Sequence, residues 1–139
     1  MSILYLLDTN IISEPLKIIP NQKVLDSLKI NEGKTALCSP VLHELQYGVD
    51  RLPSSRKKSF ILEYINTVIM PSLFIFPYES ESAIFHAGLR AELEAKGETI
   101  GFVDSQIASI ALANNLILVT RNIKDFENIK KLKLENWFS

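Results

Sequence analysis

Four acidic side chains occupy positions from which they could share one site. Asp8 directly follows an apolar run at residues 3–7, and Glu44 lies on the helix predicted after a second strand. Asp104 opens the most apolar of the predicted helices, and Asp125 follows a clear strand near the C-terminus. Ligands of parallel α/β sheets bind beyond the carboxyl ends of the strands, which is where these acids are expected. Their types and spacing predict an acidic cluster at one edge of the sheet.

A cluster of carboxylates predicts a bound divalent cation. At about 5 Å and an effective dielectric constant of about 20, two carboxylates repel each other by roughly 3 kcal/mol. Few Lys or Arg residues stand in sequence where they could neutralise such a group. Ligands that are all oxygen favour Mg²⁺ or Mn²⁺ over zinc. A carboxylate-held Mg²⁺ that faces an open cleft indicates phosphate chemistry, because the metal activates water and stabilises the developing charge.

Each acid also has an ordinary structural interpretation when it is taken alone. Asp8 could form an Asx turn or cap a helix, and Asp104 could complement the dipole of its helix. Glu44 could extend to solvent from a half-buried face, and Asp125 could be a solvated acid or a cap. The functional interpretation therefore rests on the four acids taken together, at matching positions of one fold.

Strands and helices alternate along the chain and must position these acids. The alternation predicts an α/β fold with three α/β/α layers and a mainly parallel central sheet, in a single domain over residues 1–139. Strands are expected at residues 3–7, 35–38, 73–76 and 116–119, with a short edge strand at 132–136. Helices are expected from residue 39 toward 48, from 53 to 70, from 80 to 96, and from 103 onward.

Local signals refine the helix boundaries. Ser39 is expected to cap a helix that has Pro40 at its first position. Pro71 is expected to end the following helix, and Gly97 to close the one after it.

Helical periodicity places two of the acids on apolar faces. Asp104 shares a face with Ile107, Ala108, Ala111 and Leu112, at i+3, i+4, i+7 and i+8. Glu44 shares a face with Val41, Leu45 and Gly48 on its own helix. An acid on an apolar face needs a partner, because an unpaired buried charge is unfavourable.

The composition excludes several classes of protein. The chain has 139 residues, of which 47% are hydrophobic and 22% charged, and this content of hydrophobic residues excludes a disordered chain. Its formal net charge of -1 excludes a nucleic-acid binder that acts by bulk positive charge. One cysteine and two histidines exclude a disulfide scaffold and a Cys-rich zinc site. Cys38 is interpreted as a core residue, and His43 and His86 as surface or packing residues. No targeting or membrane segment is recognisable, so a cytoplasmic location is expected.

Five segments carry a resemblance to a known family. They are residues 6–10 (LLDTN), 39–45 with Gly48 beyond them, 104–111 (DSQIASIA), 118–126 (LVTRNIKDF) and 134–137 (LENW). Together they resemble the PIN-domain ribonucleases, specifically the VapC-type toxins of bacterial and archaeal toxin–antitoxin pairs, including the FitB-like members. The resemblance covers essentially the whole chain, in order.

The resemblance implies a PIN-like fold and cleavage of RNA that depends on one or two Mg²⁺ ions, with Mn²⁺ as a substitute. It also implies a homodimer and inhibition by a small VapB-like antitoxin, through which the protein would meet DNA indirectly. Asp8, Glu44 and Asp104 match the three firmest acids of the family. The fourth acid stands at either of two sites in this family, here Asn122 and Asp125, of which Asp125 is preferred.

The implied mechanism assigns roles to these and to neighbouring residues. Asp8 and Asp104 hold the principal metal, and Glu44 and Asp125 complete the site. One departure lies before Asp104, where many members have Pro and this chain has Phe102-Val103. Supporting hydrogen bonds are expected from Thr9, Asn10, Thr120 and Asn122. Possible RNA contacts are Arg51, Arg56, Lys57, Lys58, Arg121 and Lys124.

Other interpretations stay open on the sequence. A phosphohydrolase with Asp8 as covalent nucleophile usually carries a second acid two residues later, where this chain has Asn10. A non-catalytic PIN-like module could bind RNA or act as an interaction protein. The surplus of apolar residues in the helices of residues 41–69 could form an antitoxin groove, or could close the core and a dimer of this protein.

Overall fold

The computed structural model describes residues 2–139, and within them one five-stranded sheet has only parallel strand pairs. The strand order is β3-β2-β1-β4-β5, so β1 is central. This sheet confirms the predicted α/β fold. The strands are β1 (Tyr5–Leu7), β2 (Thr35–Cys38), β3 (Phe74–Phe76), β4 (Ile117–Val119) and β5 (Leu134–Glu135).

Helices connect successive strands and return the chain to the same edge of the sheet, as parallel pairing requires. A π-helical turn, Ile65–Ile69, joins two of them, and short 3-10 turns cover Glu14–Leu16 and Ile123–Asp125. Within residues 2–139, none of the helices has the length and apolar character needed to cross a membrane. The helices are α1 (Thr9–Ile12), α2 (Gln22–Ile30), α3 (Ser39–Asp50), α4 (Arg56–Tyr64), α5 (Met70–Ser72), α6 (Ser80–Ala95) and α7 (Phe102–Ala113).

The central strands are covered on both faces of the sheet. Leu6 and Leu7 are consecutive residues of β1, so their side chains point to opposite faces. Both are fully buried, and all four residues of β2 are buried as well. Cys38, at the end of β2, belongs to this core as predicted. Burial on both faces explains why these strands read as continuous apolar runs rather than as alternating patterns.

Two predicted helix boundaries are wrong by one residue each. Helix α3 begins at Ser39 itself, so the cap position falls to Cys38, which makes no side-chain cap bond. Pro71 does not end its helix, because the backbone stays helical through Ser72. The π turn before it shifts the hydrogen bonds, with the Met70 N–H bound to the Ile65 carbonyl five residues back. This wider turn accommodates a proline that cannot make the usual bond.

Helix α2 is absent from the sequence predictions. Its start is marked by Asn21, whose Oδ1 accepts a 3.1 Å bond from the Val24 N–H. Such a cap is a recognisable signal in sequence. Val24 is fully buried, so α2 packs on the core through one face.

Candidate active site

Asp8 lies where the central strand β1 ends and α1 begins. Its backbone N–H donates a 2.9 Å bond to the carbonyl of Val119, which extends the pairing of β1 with β4. Its Oδ1 accepts a 2.8 Å bond from the Thr9 N–H and so caps α1. Asp8 is only 6% exposed, so its carboxylate is largely removed from solvent at the carboxyl end of the sheet.

Two side chains hold the second carboxylate oxygen of Asp8. Thr120 Oγ1 donates a 2.8 Å bond to Oδ2, and Asn10 Nδ2 donates one of 3.3 Å. Thr120 is fully buried just after β4, and its hydroxyl oxygen accepts the Asn122 N–H at 3.1 Å. Asn10 Oδ1 accepts the Arg121 N–H at 3.0 Å. The loops after β1 and β4 are thereby joined around Asp8.

Glu44 on α3 lies close enough to Asp8 for the two charges to interact. Its Oε1 accepts a 3.3 Å bond from Thr9 Oγ1, which links α3 to α1. The side chain is exposed, so the prediction that Glu44 lies on the apolar face of its helix is wrong. Val41 and Leu45 are buried as expected. Glu44 lies outside that face because consecutive residues are separated by about 100° around a helix.

Asp104 lies in the first turn of α7 and is half-buried. Ile107, Ala108 and Ala111 on the same helix are fully buried, as the periodicity predicts, whereas Leu112 is only half-buried. Within residues 2–139, no hydrogen bond acts on the Asp104 carboxyl group, and the influences on its pKa are burial and other charges. Hydrogen bonds therefore do not hold this carboxylate, and its place depends on the first turn of α7.

The loop after β4 brings Asp125 rather than the Asn122 side chain into the acidic set. Asp125 ends a 3-10 turn, and its backbone N–H donates a 3.0 Å bond to the Asn122 carbonyl. The side chain of Asp125 is exposed, but its charge contributes to raising the pKa of both Asp8 and Asp104. Asn122 takes part in the network through its backbone N–H. We call Asp8, Glu44, Asp104 and Asp125 the acidic cluster.

The pKa values of Asp8, Glu44 and Asp104 are raised above their ordinary values. Burial is the largest cause for Asp104, and the charges of Asp8, Asp125 and Glu44 add to it, which raises its pKa to about 6. Burial raises the pKa of Asp8, although the bond from Thr120 opposes the shift. Partial desolvation and the charge of Asp8 raise the pKa of Glu44. The ion pairs within residues 2–139 include none of the four acids.

The chemistry of this donor set fits a hard divalent cation. Carboxylate oxygens are the ligands preferred by Mg²⁺ and Mn²⁺, and a cation would offset the charges that raise these pKa values. Within residues 2–139, no three His, Cys, Asp or Glu side chains already have the spacing of an assembled metal site. Mutual repulsion, roughly 3 kcal/mol for a pair at about 5 Å, is the physical reason for carboxylates to stay apart.

The basic residues between α3 and α4 differ in what they contact. Arg56 and Lys57 are exposed in the first turn of α4. Lys58 instead donates bonds of 3.3 and 3.0 Å from Nζ to the carbonyls of Asp50 and Leu52, so it stabilises the end of α3. Arg56 and Lys57 are therefore better placed than Lys58 to bind an anionic ligand.

Three further cations lie at other exposed positions. The Arg51 guanidinium lies 5.7 Å from the centre of the Tyr47 ring. The Arg121 guanidinium lies 4.6 Å from the centre of the Phe138 ring, in the same loop as Lys124. Stacking on an aromatic ring leaves the charge available while it restricts the side chain.

One buried acid is missing from the sequence predictions. Glu14 is 2% exposed, its Oε1 lies 2.8 Å from Lys17 Nζ, and its Oε2 accepts the Asn21 N–H at 2.8 Å. The bond with Lys17 is the main cause that lowers the pKa of Glu14. This acid has its own counter-charge and ties the 3-10 turn after α1 to the start of α2, so it is a structural residue. The Lys three positions later is the signal in sequence.

Comparison with known proteins identifies relatives along nearly the full chain. The family model described as PIN domain matches residues 5–132. The chain is 37% identical over 135 residues to Ribonuclease VapC2 of Rickettsia felis, covering 96% of this chain and 98% of that protein. It is 35% identical over 127 residues to Toxin FitB of Neisseria gonorrhoeae, covering 87% of this chain and 89% of that protein.

Solved structures share the fold just described. FitAcB from Neisseria gonorrhoeae superposes with a TM-score of 0.90 at 30% identity, covering 97% of this chain and 99% of that chain. VapBC2 from Rickettsia felis, bound to a DNA fragment from their promoter, gives a TM-score of 0.82 at 36% identity, covering 99% of both chains. The likeness extends over the whole sheet and its helices.

Proposed function

The chain belongs to the PIN-domain family, and on this premise we propose that it is an endoribonuclease toxin that depends on Mg²⁺ or Mn²⁺. It hydrolyses phosphodiester bonds of RNA, and a cognate VapB-like antitoxin neutralises it. The relatives support this substrate and role, since one is named a ribonuclease and another a toxin. The metal dependence rests on the acidic cluster of this chain.

One observation carries the proposal. Asp8, Glu44 and Asp104 come from three different elements, and the charge of Asp8 raises the pKa of each of the other two. Carboxylates that are desolvated without a counter-charge destabilise a fold, and strongly perturbed groups in a cleft are typical of functional sites. A divalent cation is the counter-charge that would offset their desolvation and their repulsion.

In the proposed site, Asp8 and Asp104 hold the principal ion, and Glu44 and Asp125 complete its surroundings. Bound Mg²⁺ supplies activation of water and neutralisation of charge on the phosphate. Asp8 is suited to this role because Thr9, Asn10 and Thr120 fix both of its oxygens. A carboxylate has about four acceptor positions, so these bonds leave room for a cation.

Glu44 is the proposed proton acceptor. Its Oε1 accepts the Thr9 hydroxyl, which orients the carboxylate and leaves Oε2 for water that approaches the phosphate. The side chain is exposed, so both water and RNA can reach it. A carboxylate with a raised pKa is a better base near neutral pH than an unperturbed one.

Local cations are proposed to hold the RNA strand beside the acidic cluster. The formal net charge of -1 argues against binding by the overall charge of the protein. Single positive groups and the bound divalent ion supply the attraction instead. The proposed contacts are Arg51, Arg56, Lys57, Arg121 and Lys124, whereas Lys58 is engaged at the end of α3.

We propose that the antitoxin occupies a groove between α3 and the π turn. This groove has a volume of about 420 Å³, and Leu42, Gln46, Ile65 and Met70 are among the residues that line it. An amphipathic helix binds such a groove through its apolar face. The related VapBC2 complex on a promoter DNA fragment supports an antitoxin partner that brings the protein to DNA. The active unit is proposed to be a homodimer.

Cleavage of a single-stranded RNA oligonucleotide by the purified protein tests the enzymatic proposal. We expect cleavage with Mg²⁺ or Mn²⁺, none with EDTA, and a loss of at least about 100-fold in Asp104→Asn. Asp26→Asn is the matched control, because Asp26 is an exposed acid on α2. Cleavage by Asp104→Asn at the normal rate would contradict the proposed site. RNA binding without cleavage by the wild type would favour a non-catalytic module.

A further inference from the structure

A buried histidine outside the acidic cluster links α6 to α7. His86 on α6 is 3% exposed, and both of its ring nitrogens have close partners. Nδ1 lies 2.7 Å from the Tyr78 hydroxyl, and Nε2 lies 2.7 Å from Ser105 Oγ. Ser105 is itself buried, in the first turns of α7. A series of hydrogen bonds thus runs from Tyr78, just before α6, into the helix that carries Asp104.

The chemistry of the partners fixes the direction of these hydrogen bonds. Ser105 Oγ donates a 2.7 Å bond to the carbonyl of Phe102, which can only accept. The single hydroxyl hydrogen is then used, so Ser105 accepts from Nε2–H of His86. Nδ1 in turn accepts from the Tyr78 hydroxyl. Burial and the charge of Arg90 lower the pKa of His86, which agrees with the neutral ring that this direction requires.

This series of hydrogen bonds ends at the turn that sets the position of Asp104. Helix α7 starts at Phe102, and Gly101 before it provides no side-chain cap. The Phe102 ring also packs on the His86 ring, with 5.2 Å between their centres. Asp104 stands between Phe102 and Ser105, and no hydrogen bond within residues 2–139 holds its carboxyl group. Any shift of this turn therefore moves the carboxylate directly.

We propose that His86 is a positioning residue for Asp104, which it holds through the hydrogen bonds from His86 to Ser105 and from Ser105 to the Phe102 carbonyl. This inference rests on the proposed function, in which Asp104 holds the metal. Asp8 has three hydrogen bonds of its own, whereas Asp104 depends on the placement of one helical turn against α6. His86 supplies that placement from outside the acidic cluster.

Two substitutions of His86 separate positioning from packing. His86→Gln keeps an N–H donor near the place of Nε2, whereas His86→Asn keeps a polar group only near Nδ1. Ser109→Ala is the control, because Ser109 Oγ donates a 2.6 Å bond to the Ser105 carbonyl in the same buried helix but takes no part in the bonds that join Tyr78, His86, Ser105 Oγ and the Phe102 carbonyl. Tyr78→Phe removes only the outer bond of the chain and tests the same idea if His86→Asn does not fold.

The readouts are Mn²⁺ binding by calorimetry and amide hydrogen exchange of residues 102–106 in the metal-free protein. We expect His86→Asn to bind Mn²⁺ about tenfold more weakly and to exchange faster in this turn. His86→Gln should stay within about threefold of the wild type, and Tyr78→Phe should fall between the two. Ser109→Ala should lower the melting temperature without changing Mn²⁺ affinity.

Normal Mn²⁺ affinity in His86→Asn, or an equal loss in Ser109→Ala, would overturn the inference. A different result would show that the proposed function itself is wrong: in that case Asp104→Asn would bind Mn²⁺ as tightly as the wild type. In that event hydrogen exchange still reports whether His86 restrains the first turn of α7. Unchanged exchange in His86→Asn and Tyr78→Phe would overturn the restraint itself.

Discussion

The hydroxyl of Thr120 donates a 2.8 Å hydrogen bond to Oδ2 of Asp8, from a position 112 residues away in the chain. Parallel pairing of β1 with β4 creates this contact, since Leu7 and Val119 are register partners and the two polar residues follow them directly. The bond is fully buried on the Thr120 side. It therefore affects both the stability of the fold at the carboxyl ends of β1 and β4 and the pKa of Asp8.

Thr120→Val keeps the shape of the side chain and removes the hydroxyl, which donates to Asp8 and accepts from the Asn122 N–H. We expect the free energy of unfolding to fall by about 1–3 kcal/mol, because a buried carboxylate loses a hydrogen bond. The pKa of Asp8 should rise further, since the bond from Thr120 lowers it. Urea unfolding and NMR titration measure the two effects. Thr67→Val, at an exposed threonine bonded to the Glu63 carbonyl, is the control, and an equal loss there would contradict the special role of Thr120.

Asp104→Asn should stabilise the metal-free protein at neutral pH. The pKa of Asp104 is raised from 3.8 to about 6, so the folded state binds the proton more tightly than the unfolded state. The contribution of Asp104 to stability is therefore fully present below about pH 4 and is lost as the pH rises through about 6. In EDTA at pH 7 the variant should exceed the wild type by on the order of 2 kcal/mol, and the two should converge near pH 4. Urea unfolding measures the difference in the free energy of unfolding between variant and wild type, and an equal difference at both pH values would contradict this expectation.

Divalent metal should make the wild type more stable than Asp104→Asn, the reverse of the order expected in EDTA. Mn²⁺ at about a hundred times its dissociation constant should stabilise the wild type by about 2.7 kcal/mol, because it binds the folded state. Asp8→Asn and Asp104→Asn should show no such gain, since each removes a charge from the proposed ion site. Thermal unfolding with and without Mn²⁺ measures the gain. Asp26→Asn, outside the acidic cluster, should respond like the wild type.

Charge reversal of Arg56 and Lys57 should weaken RNA binding and its dependence on salt. Each phosphate contact contributes about 0.7 to the slope of log K against log salt for a single strand, so losing two contacts should flatten the slope by about 1.4. Fluorescence anisotropy in EDTA measures binding without cleavage. Reversal of Lys23 and Lys29, exposed on α2, makes the same change in net charge as the control. An equal flattening there would indicate an effect of overall charge.

Local patterns were sufficient to predict much of this molecule. The apolar runs that end at Leu7 and Val119 predict buried strands, and the structure places them as neighbours in the centre of the sheet. The periodicity of α7 predicts the buried face behind Asp104. Patterns failed where an interaction redirects the backbone or a side chain. Pro71 stays within a helix because of the π turn before it, and Glu44 lies outside the apolar face.

The sequence by itself determined the parallel α/β fold, the resemblance to the PIN family and the four acids of the cluster, because these follow from residue type and local spacing. Only the tertiary structure decided which groups hold the two oxygens of Asp8 and how far the pKa of Asp104 rises. It also decided that His86 reaches Ser105 on the next helix. Hydrogen bonds and electrostatic shifts depend on distances between residues far apart in the chain, and those distances exist only once the elements have packed.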